Sequence, residues 1–337
     1  MSRYSRQELF EGVGPAGQAR LGGARVAVVG CGALGSVLSE MLVRAGVGSL
    51  TVIDRDFVEE SNLQRQSLFD ESDVERSLPK AVAAAARLRR INSEVEVRGV
   101  VADMAPDNAS ELLAGAALVL DGTDNFETRF LLNDLAVRDG FPWIYGACVA
   151  AYGIALLVRP GRTPCLRCLL EELPAPGSGP TCDTAGVVAP IVHVVAGVQA
   201  AEALKLLAGN EAALLGGVFT ADLWQGRFDV LDLSRRPPSC PACTERRFDY
   251  AEDRSRGLTA TLCGRNAVQV RPARGARIDL EALAARLQRL GRVRRNEYLL
   301  RFSGEDAELV VFEDGRALVK DVASPARARS LYARYVG

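Results

Sequence analysis

Two C-x-x-C pairs, Cys165/Cys168 and Cys240/Cys243, stand far apart in a chain of 337 residues. Four thiolates so arranged can close one tetrahedral zinc site, and Pro164 and Pro241 beside the pairs suit tight knuckles. A closed four-cysteine set is structural, because a catalytic zinc keeps one position open. The competing reading is two independent redox or buried pairs.

A second set of residues points to a nucleotide. In VAVVGCGALGSVLSEMLVRAGVGSLTVIDRD, Gly30-x-Gly32-x-x-Gly35 joins an apolar run to a helical one, and the next apolar run ends on Asp54. In that order the glycines let the main chain approach phosphate, a helix N-terminus offers N–H donors, and the carboxylate holds a ribose. The alternative is a turn that needs glycine only for packing. Downstream, DFVEESNLQRQSLF supplies Asn62, Arg65 and Gln66, and Lys80 follows at a helix start. Arg65 and Lys80 are placed to neutralise charge during phosphoryl or nucleotidyl transfer. Otherwise they are a loop cation and a helix-surface cation. Arginine so outnumbers lysine that only Lys80, Lys205 and Lys320 occur, which singles out Lys80 for notice.

LVLDGTDNFETRFLLND contributes a strand ending in Asp121, Asp124 and Asn125, with Thr128 and Arg129 opening a helix. Open α/β sheets bind ligands at such strand ends, and one carboxylate there suits Mg²⁺, which takes its other oxygens from phosphates and water. Capping of the helix by Asp124 or Asn125 is the other use, and both can hold at once. Asn125 and Arg129 join the nucleotide-site candidates. Cys182, in GPTCDTAGVVAP ahead of an apolar helix, is either a nucleophile with a depressed pKa or a loop cysteine without a task. Cys31 and Cys148 read as small buried hydrophobes and Cys263 as a buried or strand-end cysteine. The single histidine, His193, is expected to pack within an apolar helix.

The elements that must position these residues alternate between strand and helix. Strands are expected at 26–29, 50–53, 95–100, 118–120 and 143–145, and helices at 35–45, 78–91 and 128–139. That alternation predicts an α/β, Rossmann-like doubly wound sheet. A further strand at 154–158 precedes a Pro-, Gly- and Cys-rich segment over 160–186, then an apolar helix over 190–207 and strands at 218–222 and 227–233. DYAEDRSRG, 249–257, reads as a linker to a small α+β domain over 258–337, ordered strand, helix, strand, strand, helix. Its helix places Leu280, Leu283, Leu287 and Leu290 on one face, and Asp314-Gly315 marks a two-residue hairpin turn.

Composition is that of an ordinary soluble globular protein, with 48% hydrophobic and 25% charged residues. No apolar run reaches the roughly 18 residues of a membrane span, and the first residues lack a signal-like apolar stretch, so a cytoplasmic protein is expected. In that compartment the eight cysteines are not read as disulfides. The net charge of −1 hides an asymmetry: residues 251–337 hold 17 basic and 11 acidic side chains, the remainder 24 and 31. A basic C-terminal segment can meet an acidic protein or RNA, or simply solvate a surface.

Taken together, RYSRQ, GCGALGS, TVID, NLQRQ, Lys80, DGTDNFETRFLLN, CLRC, TCDTAGVVAP, VQAAEALKLL and CPAC closely resemble the ubiquitin-activating-like adenylyltransferases of the MoeB/ThiF family, over residues 1–248. The resemblance implies MgATP, a structural Zn²⁺, and a β-grasp sulfur-carrier protein ending in Gly-Gly whose C-terminal carboxylate attacks the α-phosphorus. It implies that Asp54 holds the ribose, that Asn62, Arg65 and Lys80 line the phosphates, and that Asp124 binds Mg²⁺. Arg6 matches an arginine that reaches into the partner subunit's ATP site, implying a homodimer. Cys182 matches a cysteine that in some members joins the carrier through a thioester or acyl disulfide, with a cysteine desulfurase or another sulfur donor as partner. The pathways implied are thiamine, molybdopterin or tRNA thiolation. The C-terminal domain departs from the rhodanese-fused form.

Three rivals make different demands. A NAD-dependent dehydrogenase needs an acid/base near the nicotinamide and has no use for NLQRQ or DNFETR. A zinc-stapled scaffold that binds a β-grasp protein without catalysis is favoured only where Arg65, Lys80 or Asp124 is replaced by an unsuitable residue. A tRNA-modifying dehydratase of the same superfamily fits poorly with the two cysteine pairs and the setting of Cys182.

Overall fold

Short apolar runs, most of the early ones followed by a helix, build one sheet whose central strands are buried on both faces. β1 (Arg25–Val29), β2 (Ser49–Asp54), β3 (Glu96–Val101), β4 (Leu118–Asp121) and the start of β5 (Trp143–Val149) are parallel, and β6 (Tyr152–Val158), β7 (Gly217–Asp222) and β8 (Arg227–Asp232) add antiparallel. The order is β3-β2-β1-β4-β5-β6-β7-β8. The computed structural model describes residues 2–337 except 175–178, 180, 234–236, 238, 254–258, 263–266, 273–276 and 323, and the main chain alone at 183 and 259–262. It divides into two compact units, Met1–Glu252 and Asp253–Gly337.

Within the first unit, β1 shows the doubly covered pattern: Val26 and Val28 face one core cluster while Ala27 and Val29 face the other. The first cluster is covered by α1 (Ala33–Ala45), α2 (Lys80–Ile91) and α4 (Ala189–Ala208), the second by α3 (Phe126–Asp139). Leu38 and Leu42 of α1 are fully buried, each worth about 1.5–3 kcal/mol by burial alone.

Several boundaries shift for identifiable reasons. α2 starts at Lys80, after Pro79 in an extended conformation, and α3 starts at Phe126 because the Asn125 side chain caps it. β5 leaves the parallel ladder after Ile144 and runs on to Val149 paired with β6 alone. Residues 249–252 of the expected linker are a helical turn instead, since Tyr250 stacks on Phe130 at 4.8 Å and its N–H donates to Asp134. His193 is exposed rather than packed, with Nδ1 3.0 Å from the Ala189 carbonyl.

The second unit holds β9 (Thr259–Leu262), β10 (Ala267–Val270), α5 (Leu280–Leu287), β11 (Gly291–Arg295), β12 (Leu299–Gly304), β13 (Glu308–Phe312), β14 (Ala317–Lys320) and α6 (Pro325–Tyr335). Its antiparallel sheet runs β11-β12-β13-β14-β10-β9, so it carries more strands than its sequence announces. Leu280, Leu283 and Leu287 pack on this sheet, but α5 ends there and Leu290 is exposed. The hairpin at Asp314-Gly315 is a three-residue connection: the Phe312 N–H donates to the Arg316 carbonyl, and Gly315 takes a left-handed φ of 81°.

Candidate active site and cysteine cluster

At the C-terminal ends of β1 and β4 three glycines interlock. A Cβ on Gly30 would lie 2.7 Å from the Gly122 carbonyl oxygen, and one on Gly35 only 1.8 Å from that of Gly30. Packing therefore explains Gly30, Gly35 and also Gly122, a member of the set that the sequence pattern did not single out. Gly32 is different, because a Cβ there would meet nothing nearer than Gln66 Nε2 at 3.8 Å. Glycine at 32 is not required by packing. It caps α1 without a side-chain acceptor, so the first N–H groups of a 13-residue helix face the same place.

Asp54 stands at the end of β2, buried, with Oδ2 accepting the Cys31 N–H at 2.6 Å and Oδ1 the Asp56 N–H at 2.7 Å. Burial pushes its pKa up, Asp56 adds to the rise, and the Lys80 ammonium opposes both. Lys80 opens α2 nearly buried, its Nζ 3.6 Å from Asp56 Oδ2. Asp56 was not among the expected residues, although a D-x-D at a strand end returns the second carboxylate to the side of the first. Arg55 was also missed. It pairs with Asp103 at 3.0 Å, and Asp56 and Asp124 further favour its charge.

The remaining nucleotide candidates divide by what already engages them. Asn62 is buried and accepts the Glu59 N–H through Oδ1, so it fixes its own loop. Gln66 is buried beside Gly32, and among the described residues its Oε1 has no hydrogen-bond partner. Arg65 is half-exposed, one guanidinium nitrogen donating to the Ser61 carbonyl. Asp124 is exposed, whereas the Asn125 side chain is spent on the cap, accepting the Thr128 N–H at 2.8 Å. Arg129 is a buried brace: it donates to Asp121 at 3.1 Å and to the carbonyls of Thr123 and Gly146. Burial raises the pKa of Asp121, and Arg129 is the largest influence in the other direction. Arg6 stands exposed on the helical turn Ser5–Glu8.

The four paired cysteines meet. Cys165 Sγ lies 3.7 Å from Cys240 and 3.9 Å from Cys168, and Cys168 lies 3.8 Å from Cys243. All four sulfurs fall within 4.8 Å of one another. A tetrahedron with Zn–S near 2.3 Å has S–S edges of about 3.8 Å, so these thiols fit one zinc ion with no position left open. Asn133 ties the cluster to α3, its Oδ1 accepting the Leu166 N–H. Cys182 begins the short helix Cys182–Ala185, capped by Thr181, and its thiol donates to the Cys148 carbonyl at 3.0 Å. That carbonyl is on the part of β5 that projects past the parallel strands. Cys31 is fully buried and Cys148 half-buried, and burial pushes the Cys148 thiol up to about 12. Cys263 lies outside the described residues.

The sequence pattern of the ThiF family spans residues 4–242. A Bacillus subtilis protein named "Sulfur carrier protein ThiS adenylyltransferase" is 48% identical over 99% of both chains. The "SAMP-activating enzyme E1" of Haloferax volcanii is 42% identical over 75% of this chain and 92% of its own. Among solved structures, E. coli MccB with ATP superposes at a TM-score of 0.63 with 25% identity, over 72% of this chain and 74% of that one.

Proposed function

The chain belongs to the ThiF family, and from that membership we infer that it is an adenylyltransferase that uses ATP to activate a sulfur-carrier protein. The observation that carries this reading is Lys80, a nearly buried cation beside Asp54 and Asp56 near the strand ends. A dehydrogenase has no use for a cation there, whereas transfer at phosphorus does.

The substrate is the Gly-Gly tail of a ubiquitin-like carrier, and a relative matched over 99% of both chains, named for the sulfur carrier protein ThiS, favours the thiamine route. The carrier carboxylate attacks the α-phosphorus, the new bond is an acyl-phosphate anhydride, and pyrophosphate leaves. Because the nucleophile is already an anion, no general base is required, and the chain's task is to gather and neutralise negative charge. Asp54 would hold the ribose, Gly32 and the α1 N–H groups would cradle phosphate, and Lys80 and Arg65 would face the departing oxygens. Asp124, exposed at the end of β4 with one carboxylate, fits Mg²⁺, which when bound neutralises phosphate charge. Zinc in the four-cysteine cluster would hold the 165–168 turn against the 240–243 turn and take no part in the transfer.

A protein substrate also agrees with the exposed apolar side chains along β8 and its turn, Trp224, Phe228, Val230 and Leu231. Arg6 on its exposed turn suits a homodimer in which each copy completes the other's site.

ATP–pyrophosphate exchange with carriers ending in Gly-Gly tests the reading. Exchange should appear with at least one carrier and vanish in Asp124→Ala, whose exposed position leaves stability unchanged. Zinc-loaded protein that exchanges with none of them removes the activity, and an active Asp124→Ala removes the metal role.

A further inference from the structure

The helix α4 is apolar, and the buried polar side chains within it are Gln199 and Glu202. Glu202 is engaged locally, accepting from Lys205 Nζ at 2.6 Å and from the Leu215 N–H at 2.9 Å. Gln199 instead reaches the sheet. It is fully buried, and its Nε2 donates to the Asp121 carbonyl of β4 at 3.0 Å and to the Ile144 carbonyl of β5 at 3.2 Å. Its Oε1 has no hydrogen-bond partner among the described residues. An unpaired buried acceptor is costly, and filling space alone gives no reason to bear that cost.

The place it reaches is a missing rung. In the β4–β5 ladder the Val119 N–H donates to the Pro142 carbonyl, Val119 pairs with Trp143 and Leu120 with Ile144, and there the ladder stops. One rung further, the Gly146 N–H would donate to the Asp121 carbonyl. Gln199 supplies that bond in its place, with its amide laid against Gly146: a Cβ there would lie 2.4 Å from Gln199 Cδ. From α3, Arg129 donates to the Gly146 carbonyl at 3.1 Å and to the Thr123 carbonyl at 2.7 Å. The end of β4 meanwhile stays with β1: Asp121 is in register with Val29, and the Gly122 N–H donates to the Val29 carbonyl at 2.8 Å. The sheet thus opens between β4 and β5, and the turn that carries Asp124 leaves from this opening.

We propose that Gln199 is a positioning residue for the metal ligand Asp124. By bridging the Asp121 and Ile144 carbonyls it fixes how the end of β4 stands off from β5, and so where the Asp124 carboxylate is held. The inference rests on the metal role given to Asp124 under the proposed function. An apolar side chain at 199 would leave the Asp121 carbonyl without this donor and let the β4 end close toward Gly146 to complete the rung. Asp124 would move with it, because Asp121 Oδ1 accepts the Thr123 N–H at 2.8 Å and ties the start of the turn to the strand. Mg²⁺ demands near-ideal octahedral geometry, so a small displacement of one carboxylate weakens its site.

The test is calorimetric binding of a non-hydrolysable ATP analogue to the full zinc-loaded chain, with Mg²⁺ and with a chelator that removes Mg²⁺ but leaves zinc bound, beside thermal unfolding of the same samples. The ratio of the two dissociation constants reads the metal's contribution without turnover. Gln199→Met, similar in length but without a donor, should keep the metal-free constant within about twofold and lose about 10-fold of the tightening that Mg²⁺ gives. Val195→Ala, a fully buried change on the same helix, should lower the melting temperature and leave the ratio unchanged. If Gln199→Met does not fold, Gly146→Ala replaces it, since its methyl displaces the amide. A folded variant that keeps the parent's ratio while Asp124→Ala loses it overturns the positioning role alone. A loss that Val195→Ala reproduces also overturns it, as an effect of stability. No tightening in the parent, or tightening kept in Asp124→Ala, removes the metal role and this inference with it.

Discussion

Lys80 and Asp56 are joined twice: Nζ lies 3.6 Å from the Asp56 carboxylate, and the Lys80 N–H donates to the Asp56 carbonyl at 2.8 Å. The main-chain bond fixes where α2 begins, and the side-chain pair then fixes where the ammonium stands. Both partners are largely removed from solvent, so breaking the pair takes a close counter-charge from a mostly buried carboxylate.

Lys80→Met is therefore expected to cost stability, about 3 kcal/mol, as well as activity. Adding Asp56→Asn should restore part of the stability, because the carboxylate that lost its counter-charge is gone. Exchange activity should stay down about 100-fold or more in both if Lys80 is the cation that faces the phosphates. Urea unfolding and ATP–pyrophosphate exchange on the same samples separate the two effects. A double variant that regains activity along with stability would show that Lys80 matters only for the fold.

The four-cysteine cluster makes a second expectation. Purified protein should hold one zinc per chain, and Cys243→Ser or exhaustive chelation should lower the melting temperature by about 10 °C, as loss of several kcal/mol would in a domain of this size. Replacement by Co²⁺ should give the intense thiolate-to-metal absorption of a tetrahedral sulfur site. Metal analysis that finds no zinc, or a Cys243→Ser protein as stable as the parent, removes the structural role.

Asp134 gives a pH signature. It is fully buried on α3, accepting from the Tyr250 N–H at 3.0 Å and from Arg167 at 3.4 Å, yet burial outweighs both and moves its pKa from 3.8 up to about 6. Between those values the folded chain keeps a proton that the unfolded chain has released. Its contribution to stability therefore falls as pH rises from about 4 to 6 and is flat above. Metal release at low pH acts in the opposite direction but equally in Asp134→Asn. The stability of Asp134→Asn relative to the parent should thus increase over that interval, by up to about 3 kcal/mol. Denaturant midpoints from pH 4.5 to 7.5 measure it, and a difference that does not change with pH contradicts the assignment.

What the sequence made legible was spacing. The Gly30/Gly32/Gly35 loop, the strand-end position of Asp54 and the two C-x-x-C pairs each depend on short-range order, and each can be read without coordinates. The distinction among the glycines was not legible, because only the approach of Gly122 separates those that packing demands from Gly32. Arg129 and Asn125 looked like ligand contacts through their place in DNFETR. Their engagement with Asp121 and the α3 cap depends on tertiary neighbours. The strands of the second unit were hidden for another reason: GRVRR has no apolar alternation, since an edge strand with two arginine-bearing faces buries little.

Cys182 is the residue whose task most needs a direct measurement. It sits at the first position of a capped helical turn, beside the carbonyl of Cys148 on the extension of β5 past the parallel strands. Attack of its thiolate on the carrier acyl-adenylate would form a thioester and release AMP, after the exchange step is complete. Cys182→Ala should accordingly retain ATP–pyrophosphate exchange within about twofold while losing a carrier–enzyme adduct, whose thiol-labile bond intact mass spectrometry would detect. Sulfur transfer with a cysteine desulfurase present then decides whether the adduct is on the route. If Cys182→Ala still transfers sulfur at the parent rate, the adenylate passes directly to the donor and Cys182 only anchors its loop through Cys148.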